Sequence, residues 1–154
     1  MRIVALDVGS SSVKGAILSD GRIVGRPVRA VFPTDYSDGR AEVRPRDVLR
    51  AITQVIGELS TRGIDMLALC AMAPSWIAVD KKGRPITNVI THQDRRSIDV
   101  ARELEKAVGK QRYLKLAGNR PFPGGISSTT AAWFARHYPS VIQSASLVGH
   151  LSTF

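Results

Sequence analysis

The sequence DVGSSSVK at residues 7–14 combines an acid, a glycine, three consecutive serines and a lysine within a short span. It follows an apolar run, IVAL at residues 3–6, and precedes a shorter one, AIL at residues 16–18. Two apolar runs separated by a few glycine and serine residues predict a β-hairpin with a tight turn. We therefore expect the polar side chains of this stretch to cluster at one end of a small sheet.

The residue types in this stretch favour a metal-phosphate site. Asp7, at the end of a buried strand, offers hard oxygen ligands that suit Mg²⁺ directly or through water. Glycine allows close approach of the backbone to a ligand, and successive N–H groups in a turn can form an anion-binding concavity. The spacing differs from that of a P-loop, and an ordinary hairpin with a polar turn is the alternative. Candidate phosphate-binding residues are Asp7, Gly9, Ser10, Ser11, Ser12 and Lys14, with Asp7 also the candidate metal ligand.

Residues 7–14 resemble the first phosphate motif of the superfamily of sugar kinases, actin and heat-shock ATPases. Within that superfamily the chain resembles the FGGY family of carbohydrate kinases, which includes xylulokinase, gluconokinase and glycerol kinase. The resemblance extends over residues 1–154, and it covers only the first third of such a kinase. It implies an α/β, ribonuclease-H-like fold of the actin, hexokinase and heat-shock ATPase type. Residues 1–154 would form the N-terminal part of domain I, with the remainder of domain I and all of domain II absent.

Length and composition indicate a globular protein. A chain of 154 residues predicts one domain, and 44% hydrophobic with 23% charged residues is ordinary for such a domain. No apolar run approaches the roughly 20 residues of a membrane span, and no signal peptide is recognisable. The single cysteine, Cys70, excludes an internal disulfide and suits a reducing cytoplasm. We therefore expect a cytoplasmic protein with no membrane partner.

The net charge of +9 raises the question of a nucleic-acid partner. The basic residues are dispersed, however, and no more than two are adjacent, as at Arg95-Arg96. No helix-turn-helix or zinc-finger spacing is present, and the three histidines have no metal-ligand spacing. A nucleotide ligand and a missing acidic remainder of the chain explain the charge without nucleic acid.

Periodicity predicts the order β-β-β-α-β for the first half of the chain. The dipeptide Asp20-Gly21 is a strong hairpin signal between the second and third strands. Apolar residues from Val48 to Leu59 recur at helical spacing after Pro45, and the apolar run after Gly63 predicts a buried parallel strand. The predicted elements are strands at 2–7, 12–18 and 22–32, a polar loop at 33–44, a helix from 45 to about 60, and a strand within 64–72.

The second half predicts shorter elements. Asp94 is expected to cap a helix that ends at Gly109, and a helix from Ser127 or Ser128 is expected to end at Pro139. The remaining predictions are a strand at 76–79, a turn at 80–83, extended chain at 85–90, a short helix at 111–116, a loop at 118–125, and a strand or helix approach at 147–148.

The sequence DKKGRP at residues 80–85, followed by HQDRR at residues 92–96, resembles a second landmark of the family. In the family this segment lines the sugar pocket, and His92 stands where a tryptophan is usual. Asp94 and Arg96 can exchange charge-assisted hydrogen bonds with each other or with sugar hydroxyls. His92 can stack on a polyol or hydrogen-bond to it. The resemblance makes all three candidate substrate-binding residues, although Asp94 could serve as a helix cap and His92 as an ordinary surface histidine.

At the position of a third family landmark, this chain departs from the family pattern. Where members carry polar, substrate-holding residues, this chain has CAMAPSW at residues 70–76. A site built around hydroxyls loses its discrimination once its hydrogen-bonding partners are gone. Either the substrate differs from xylulose and glycerol, or sugar binding has been lost. Met72 and Trp76 are expected to be core residues.

The resemblance implies transfer of the ATP γ-phosphoryl to a sugar or polyol hydroxyl, with Mg²⁺ and ATP as cofactors. It places the catalytic-base aspartate and the adenosine-binding domain beyond residue 154, so we expect no catalytic residue here and no activity from this chain alone. Expected partners are ATP, the sugar or polyol, and the missing C-terminal half of the kinase or a second copy in a homodimer. Two alternatives remain: a non-catalytic remnant or binding module, and another ATPase of the superfamily. Residues 80–96 argue against the second.

Overall fold

The computed structural model describes residues 1–59 and 62–154. They divide into two compact units, one formed by Met1–Thr34 and Val43–Met72 and the other by Asp35–Glu42 and Ala73–Phe154. Residues 35–42 belong to the second unit because they form a hairpin in a sheet that is otherwise built from the C-terminal half of the chain. No helix in the described ranges combines the length and apolar character that a membrane span requires.

The elements are numbered in chain order. They are β1 (Arg2–Val8), β2 (Ser12–Ser19), β3 (Arg22–Val31), β4 (Asp35–Ser37), β5 (Arg40–Val43), α1 (Pro45–Glu58), β6 (Met66–Ala71), β7 (Ser75–Val79), β8 (Val89–Thr91), α2 (Ile98–Val108), α3 (Lys110–Ala117), α4 (Ser127–His137), α5 (Pro139–Ser144) and β9 (Leu147–Gly149), followed by a 3₁₀ turn at Leu151–Thr153.

The first unit contains a four-stranded sheet of order β3-β2-β1-β6. Strands β1, β2 and β3 are antiparallel, and β6 runs parallel to β1 with Asp7 opposite Cys70. The hairpin at Asp20-Gly21 has φ angles of 50° and 76°, as a two-residue turn of type I′ requires. Within this unit the predicted β-β-β-α-β order is therefore confirmed, and the predicted parallel strand, β6, pairs with β1.

Helix α1 packs on one face of this sheet and forms the core of the first unit. Val48, Ala51 and Val55 are buried along one side of the helix, as the apolar spacing predicted. Gly15 lies beneath them, and a Cβ atom at this position would come within 2.4 Å of Cγ1 of Val55. The absence of a side chain at residue 15 therefore lets the helix approach β2 closely.

Strand β6 contradicts the prediction of a buried strand. It forms one edge of the sheet, and Met66, Leu67 and Leu69 are each more than half exposed. Continuous apolar sequence is typical of strands covered on both faces. In the described residues of this unit, α1 packs chiefly on β2 and β3, so the apolar character of β6 is not matched by burial.

The second unit contains a five-stranded sheet of order β4-β5-β8-β7-β9. Its core is centred on Trp76, which is fully buried and stacks on Phe134 with ring centroids 4.7 Å apart. The prediction that Trp76 is a core residue is confirmed, while Met72 is only half-buried. The predicted loop at 33–44 is wrong, because residues 35–43 form the β4–β5 hairpin around a turn at Asp38-Gly39.

The helices of the second unit mostly follow the sequence. Helices α3 and α4 confirm the predictions at 111–116 and after residue 127. Helix α2 begins later than expected, at Ile98, with Ser97 in the N-cap position. Asp94 does not cap it, because the Asp94 carboxylate bonds to Ala41 and Arg96 instead. Pro139 was expected to end a helix, and it also occupies the first turn of α5.

Candidate functional site

The first candidate site lies where the β1–β2 hairpin turns. Asp7 is in register with Lys14 on the neighbouring strand, and the Lys14 Nζ lies 3.6 Å from Oδ2 of Asp7. Directly opposite residues of an antiparallel pair project from the same face of a sheet. Both side chains are more than half exposed, so the structure brings the predicted acid and lysine together on an accessible surface.

The turn itself is held through its carbonyl groups. The Ser11 carbonyl accepts a hydrogen bond from the Phe32 amide at 3.0 Å, and the Ser10 carbonyl accepts one from the Thr34 hydroxyl at 3.0 Å. The Gly9 amide donates to the Ser12 carbonyl at 2.9 Å, so this N–H is already engaged. Within residues 1–59 and 62–154, the amides and hydroxyls of Ser10 and Ser11 have no acceptor. These donors are free to bind an anion.

The oxygen ligands at this hairpin fit Mg²⁺ only if a bound phosphate supplies further ligands. Among the described residues, no group of three or more acidic, histidine or cysteine side chains could enclose a metal ion. Mg²⁺ commonly retains several waters and is held by one or two carboxylates together with substrate phosphates. An exposed Asp7 carboxylate beside unpaired serine amides matches that requirement.

The second candidate site involves His92, Asp94 and Arg96 in the second unit. Asp94 is fully buried, and its Oδ2 accepts hydrogen bonds from the Ala41 amide at 2.8 Å and from Nη2 of Arg96 at 2.7 Å. Nη2 of Arg96 also donates to Glu42. The sequence left open whether Asp94 and Arg96 bond to each other or to sugar hydroxyls. In the structure they bond to each other.

Electrostatics and packing both hold Arg96 in this arrangement. Burial by itself would lower the pKa of Arg96, but hydrogen bonds to Asp94 and Glu42 outweigh that effect, so the pKa is raised above its ordinary value. The guanidinium also lies 5.2 Å from the ring centroid of Trp133 and 5.8 Å from that of Phe134. Glu42 was not among the predicted site residues, because only the β4–β5 hairpin brings it to Arg96.

His92 has a different environment from its two neighbours. It is exposed and contributes to the lining of a cavity of about 560 Å³, together with Arg95 and five apolar side chains. The loop after α3 lies directly on this segment: a Cβ at Gly124 would be 2.2 Å from the His92 carbonyl oxygen. Gly124 has a φ of 86°, a conformation that also favours glycine.

Comparison with known proteins gives consistent results. The sequence profile of the FGGY family of carbohydrate kinases, N-terminal domain, matches residues 2–154. A glycerol kinase of Alteromonas mediterranea is 26% identical over 146 residues, covering 85% of this chain and 28% of that protein. A gluconokinase of Bacillus licheniformis is 23% identical over 147 residues, covering 90% of this chain and 28% of that protein. The chain thus spans less than a third of the length of these curated relatives.

Solved structures agree on the fold. The gluconate kinase of Lactobacillus acidophilus superposes with a TM-score of 0.89 at 20% identity, over 97% of this chain and 31% of that one. The glycerol kinase of Plasmodium falciparum with ADP gives a TM-score of 0.87 at 17% identity, over 99% and 33% of the two chains. The predicted α/β fold of the actin and hexokinase type is confirmed.

Proposed function

Because this chain belongs to the FGGY family of carbohydrate kinases, we propose that it forms the N-terminal part of an ATP-dependent kinase acting on a sugar or polyol hydroxyl. The observation that carries the proposal is the β1–β2 hairpin. It combines an exposed carboxylate, a lysine 3.6 Å away and serine amides that have no acceptor among the described residues. An ordinary polar turn would not require this combination.

Each group of the hairpin has a task in phosphoryl transfer, where catalysis is mostly positioning and charge stabilisation. The Ser10 and Ser11 amides and hydroxyls donate to phosphate oxygens, and Lys14 supplies positive charge beside them. Asp7 would hold a hydrated Mg²⁺, which would supply positive charge that offsets the charge of the phosphates. Asp7 does not act as the base.

The 154 residues by themselves are expected not to phosphorylate a sugar. The family resemblance assigns the general base and the adenosine-binding domain to later sequence, and the chain spans 28% of the relatives cited above. General-base assistance is typically worth about 10²–10⁴-fold in rate. Residues 1–154 would therefore be the N-terminal part of domain I, acting with the C-terminal part of the kinase or with a second copy of the chain.

The test is Asp7→Asn in the whole protein, because this change keeps the shape of the side chain and removes its charge. We expect a loss of turnover of at least about 10²-fold, as when a group that stabilises transition-state charge is removed. Binding of metal-free nucleotide should change little or tighten. Asp20→Asn is the matched control, because Asp20 is exposed at the other end of β2 and asparagine tolerates its φ of 50°.

The same pair of variants distinguishes the roles of Asp7. If Asp7 only stabilises the hairpin, Asp7→Asn will lower the melting temperature and leave turnover per folded molecule nearly unchanged. That result would contradict the metal role.

A second candidate function is a non-catalytic binding module. The mutual pairing of Asp94 and Arg96 favours it, because both are engaged with protein groups. It predicts nucleotide binding without turnover by the whole protein on any sugar. A coupled assay across pentoses, hexonates and glycerol, alongside nucleotide titration, separates the two candidates.

A further inference from the structure

The cavity beside His92 has an unusual lining for a site that holds a hydroxylated molecule. Its volume of about 560 Å³ lies in the range of small-molecule sites, about 300–1,000 Å³. Five of its lining residues are apolar: Pro74, Ile98, Phe122, Pro123 and Ile126. Pro74 belongs to the same segment, residues 70–76, whose apolar sequence departs from the family pattern.

The polar groups of the cavity are His92 and Arg95. Nη1 of Arg95 donates to the His92 carbonyl at 3.1 Å and to the Asp94 carbonyl at 3.3 Å, which anchors the side chain. The Arg95 amide also donates to the Gly39 carbonyl at 2.7 Å. In the part of the chain that the structure describes, no carboxylate pairs with this guanidinium. Its remaining N–H groups can donate to an oxygen of a ligand.

A sugar with a hydroxyl on every carbon matches this lining poorly. Each hydroxyl that leaves water and meets an aliphatic or proline side chain loses its hydrogen bonds without replacement. A methyl or methylene group at the same place gains from burial instead. A lining of five apolar residues and two polar ones therefore favours a ligand with one oxygenated part and one carbon without a hydroxyl.

We propose that this cavity binds a deoxy sugar, with the deoxygenated carbon against the apolar residues and the sugar oxygens bonded to His92 and Arg95. The proposal rests on the kinase function proposed above and names the substrate class of that kinase. Apolar sites reject an added hydroxyl only by about 10²-fold. The expected preference is therefore about 10- to 100-fold in kcat/KM.

The first experiment compares matched sugars with the whole protein. Each pair differs by one hydroxyl: L-rhamnose with L-mannose, L-fucose with L-galactose, and 6-deoxy-D-fructose with D-fructose. We expect at least one deoxy sugar to be phosphorylated, with kcat/KM about 10- to 100-fold above that of its partner. Equal or better kcat/KM for the hydroxylated member of every phosphorylated pair overturns the deoxy preference and leaves the kinase function intact. If neither the sugars of this panel nor other sugars and polyols are phosphorylated, the kinase function is overturned, and the proposal with it.

A pair of variants tests whether this cavity is responsible. Ile98→Thr places a hydroxyl in the apolar lining and should reduce the preference by about tenfold. Leu114→Thr is the control, because Leu114 is 40% exposed against 37% for Ile98 and does not line the cavity. Equal effects of the two variants on the preference would overturn the assignment.

The second experiment does not depend on turnover. In saturation-transfer NMR with this chain, the methyl protons of L-fucose or L-rhamnose should receive the strongest saturation. Ile98→Thr should weaken that signal, and Leu114→Thr should not. Uniform saturation over the sugar ring, or none for either sugar, would contradict the proposed orientation.

Discussion

Gly15 lies directly under helix α1, and its missing side chain determines how closely the helix packs. Gly15→Ala would place Cβ 2.4 Å from Cγ1 of Val55, a branched side chain with little rotameric freedom. We expect a loss of about 1–3 kcal/mol in the free energy of unfolding from overpacking. Denaturant titration measures it.

Gly57 provides the opposite case on the same helix. A Cβ there has no heavy atom within 4 Å, so Gly57→Ala should stabilise the chain by about 0.5–1 kcal/mol through the helix preference of alanine. If Gly15→Ala and Gly57→Ala changed the free energy of unfolding in the same direction, the packing explanation would be contradicted.

Arg96 neutralises two carboxylates, and its removal should be costly. Arg96→Met keeps apolar volume beside Trp133 but leaves Asp94 and Glu42 without a counter-charge. Removing one partner from a group of buried, paired charges typically lowers the free energy of unfolding by about 3–5 kcal/mol. Arg112→Met is the control: exposed substitutions usually stay within about 0.5 kcal/mol. A cost below about 1 kcal/mol for Arg96→Met would show that water compensates the carboxylates.

The sequence was informative about residues that are close along the chain. Asp7 and Lys14 were recognisable because a single hairpin brings them opposite each other. Asp94 and Arg96 are even closer along the chain, but their role depends on Glu42, which lies about 50 residues earlier on another strand. Local spacing contains no information about such a partner.

At the level of elements, two ion pairs connect α2 to the chain around it. Glu103 pairs with Arg136 of α4, and Glu105 pairs with Arg120 in the loop after α3. Hydrogen bonds from these arginines lower the pKa of both glutamates below the ordinary value of 4.5. The folded state therefore binds fewer protons than the unfolded state as pH falls.

The resulting stability is fully present above pH 4.5 and is lost as pH falls through the lower folded pKa values. Glu103→Gln combined with Glu105→Gln should flatten the acid side of a plot of melting temperature against pH. Glu58→Gln, which removes an exposed carboxylate that accepts a hydrogen bond from Gln54, serves as the control. Unchanged acid dependence in the double variant would assign the acid sensitivity to other groups.

Turn chemistry explains which elements could be predicted. Asp20-Gly21 and Asp38-Gly39 have nearly identical φ angles, 50° and 76° against 48° and 75°. Only the first was recognised, because long apolar strands flank it, whereas β4 and β5 contain three and four residues and few apolar ones. For β6 the sequence predicted the strand and its parallel pairing but not its exposure, which depends on packing around the sheet.

For the whole molecule, the exposed edge strand β6 should affect behaviour in solution. An apolar edge strand without charges can pair with the same strand of another chain. The net charge of +9 makes two chains repel each other at low salt and so opposes this contact. Salt screens the repulsion and shortens its range to about 3 Å at 1 M. We therefore expect self-association of this chain to rise with salt concentration in sedimentation measurements.

Leu69→Lys should reduce that self-association, because it places a charge on β6. Leu116→Lys adds the same charge to α3, where 74% of the Leu116 side chain is exposed. Similar effects of both variants would indicate that net charge, and not the edge strand, controls association.

The division of the second unit between residues 35–42 and 73–154 also sets an order of events during synthesis. The β4–β5 hairpin leaves the ribosome about 50 residues before β8, which at about 5–20 residues per second is roughly 2–10 s. During that interval neither Arg96 nor β8 exists to hold the hairpin, and an isolated two-stranded hairpin is marginally stable in water. The nascent hairpin must therefore remain unfolded or transiently paired until its partners emerge.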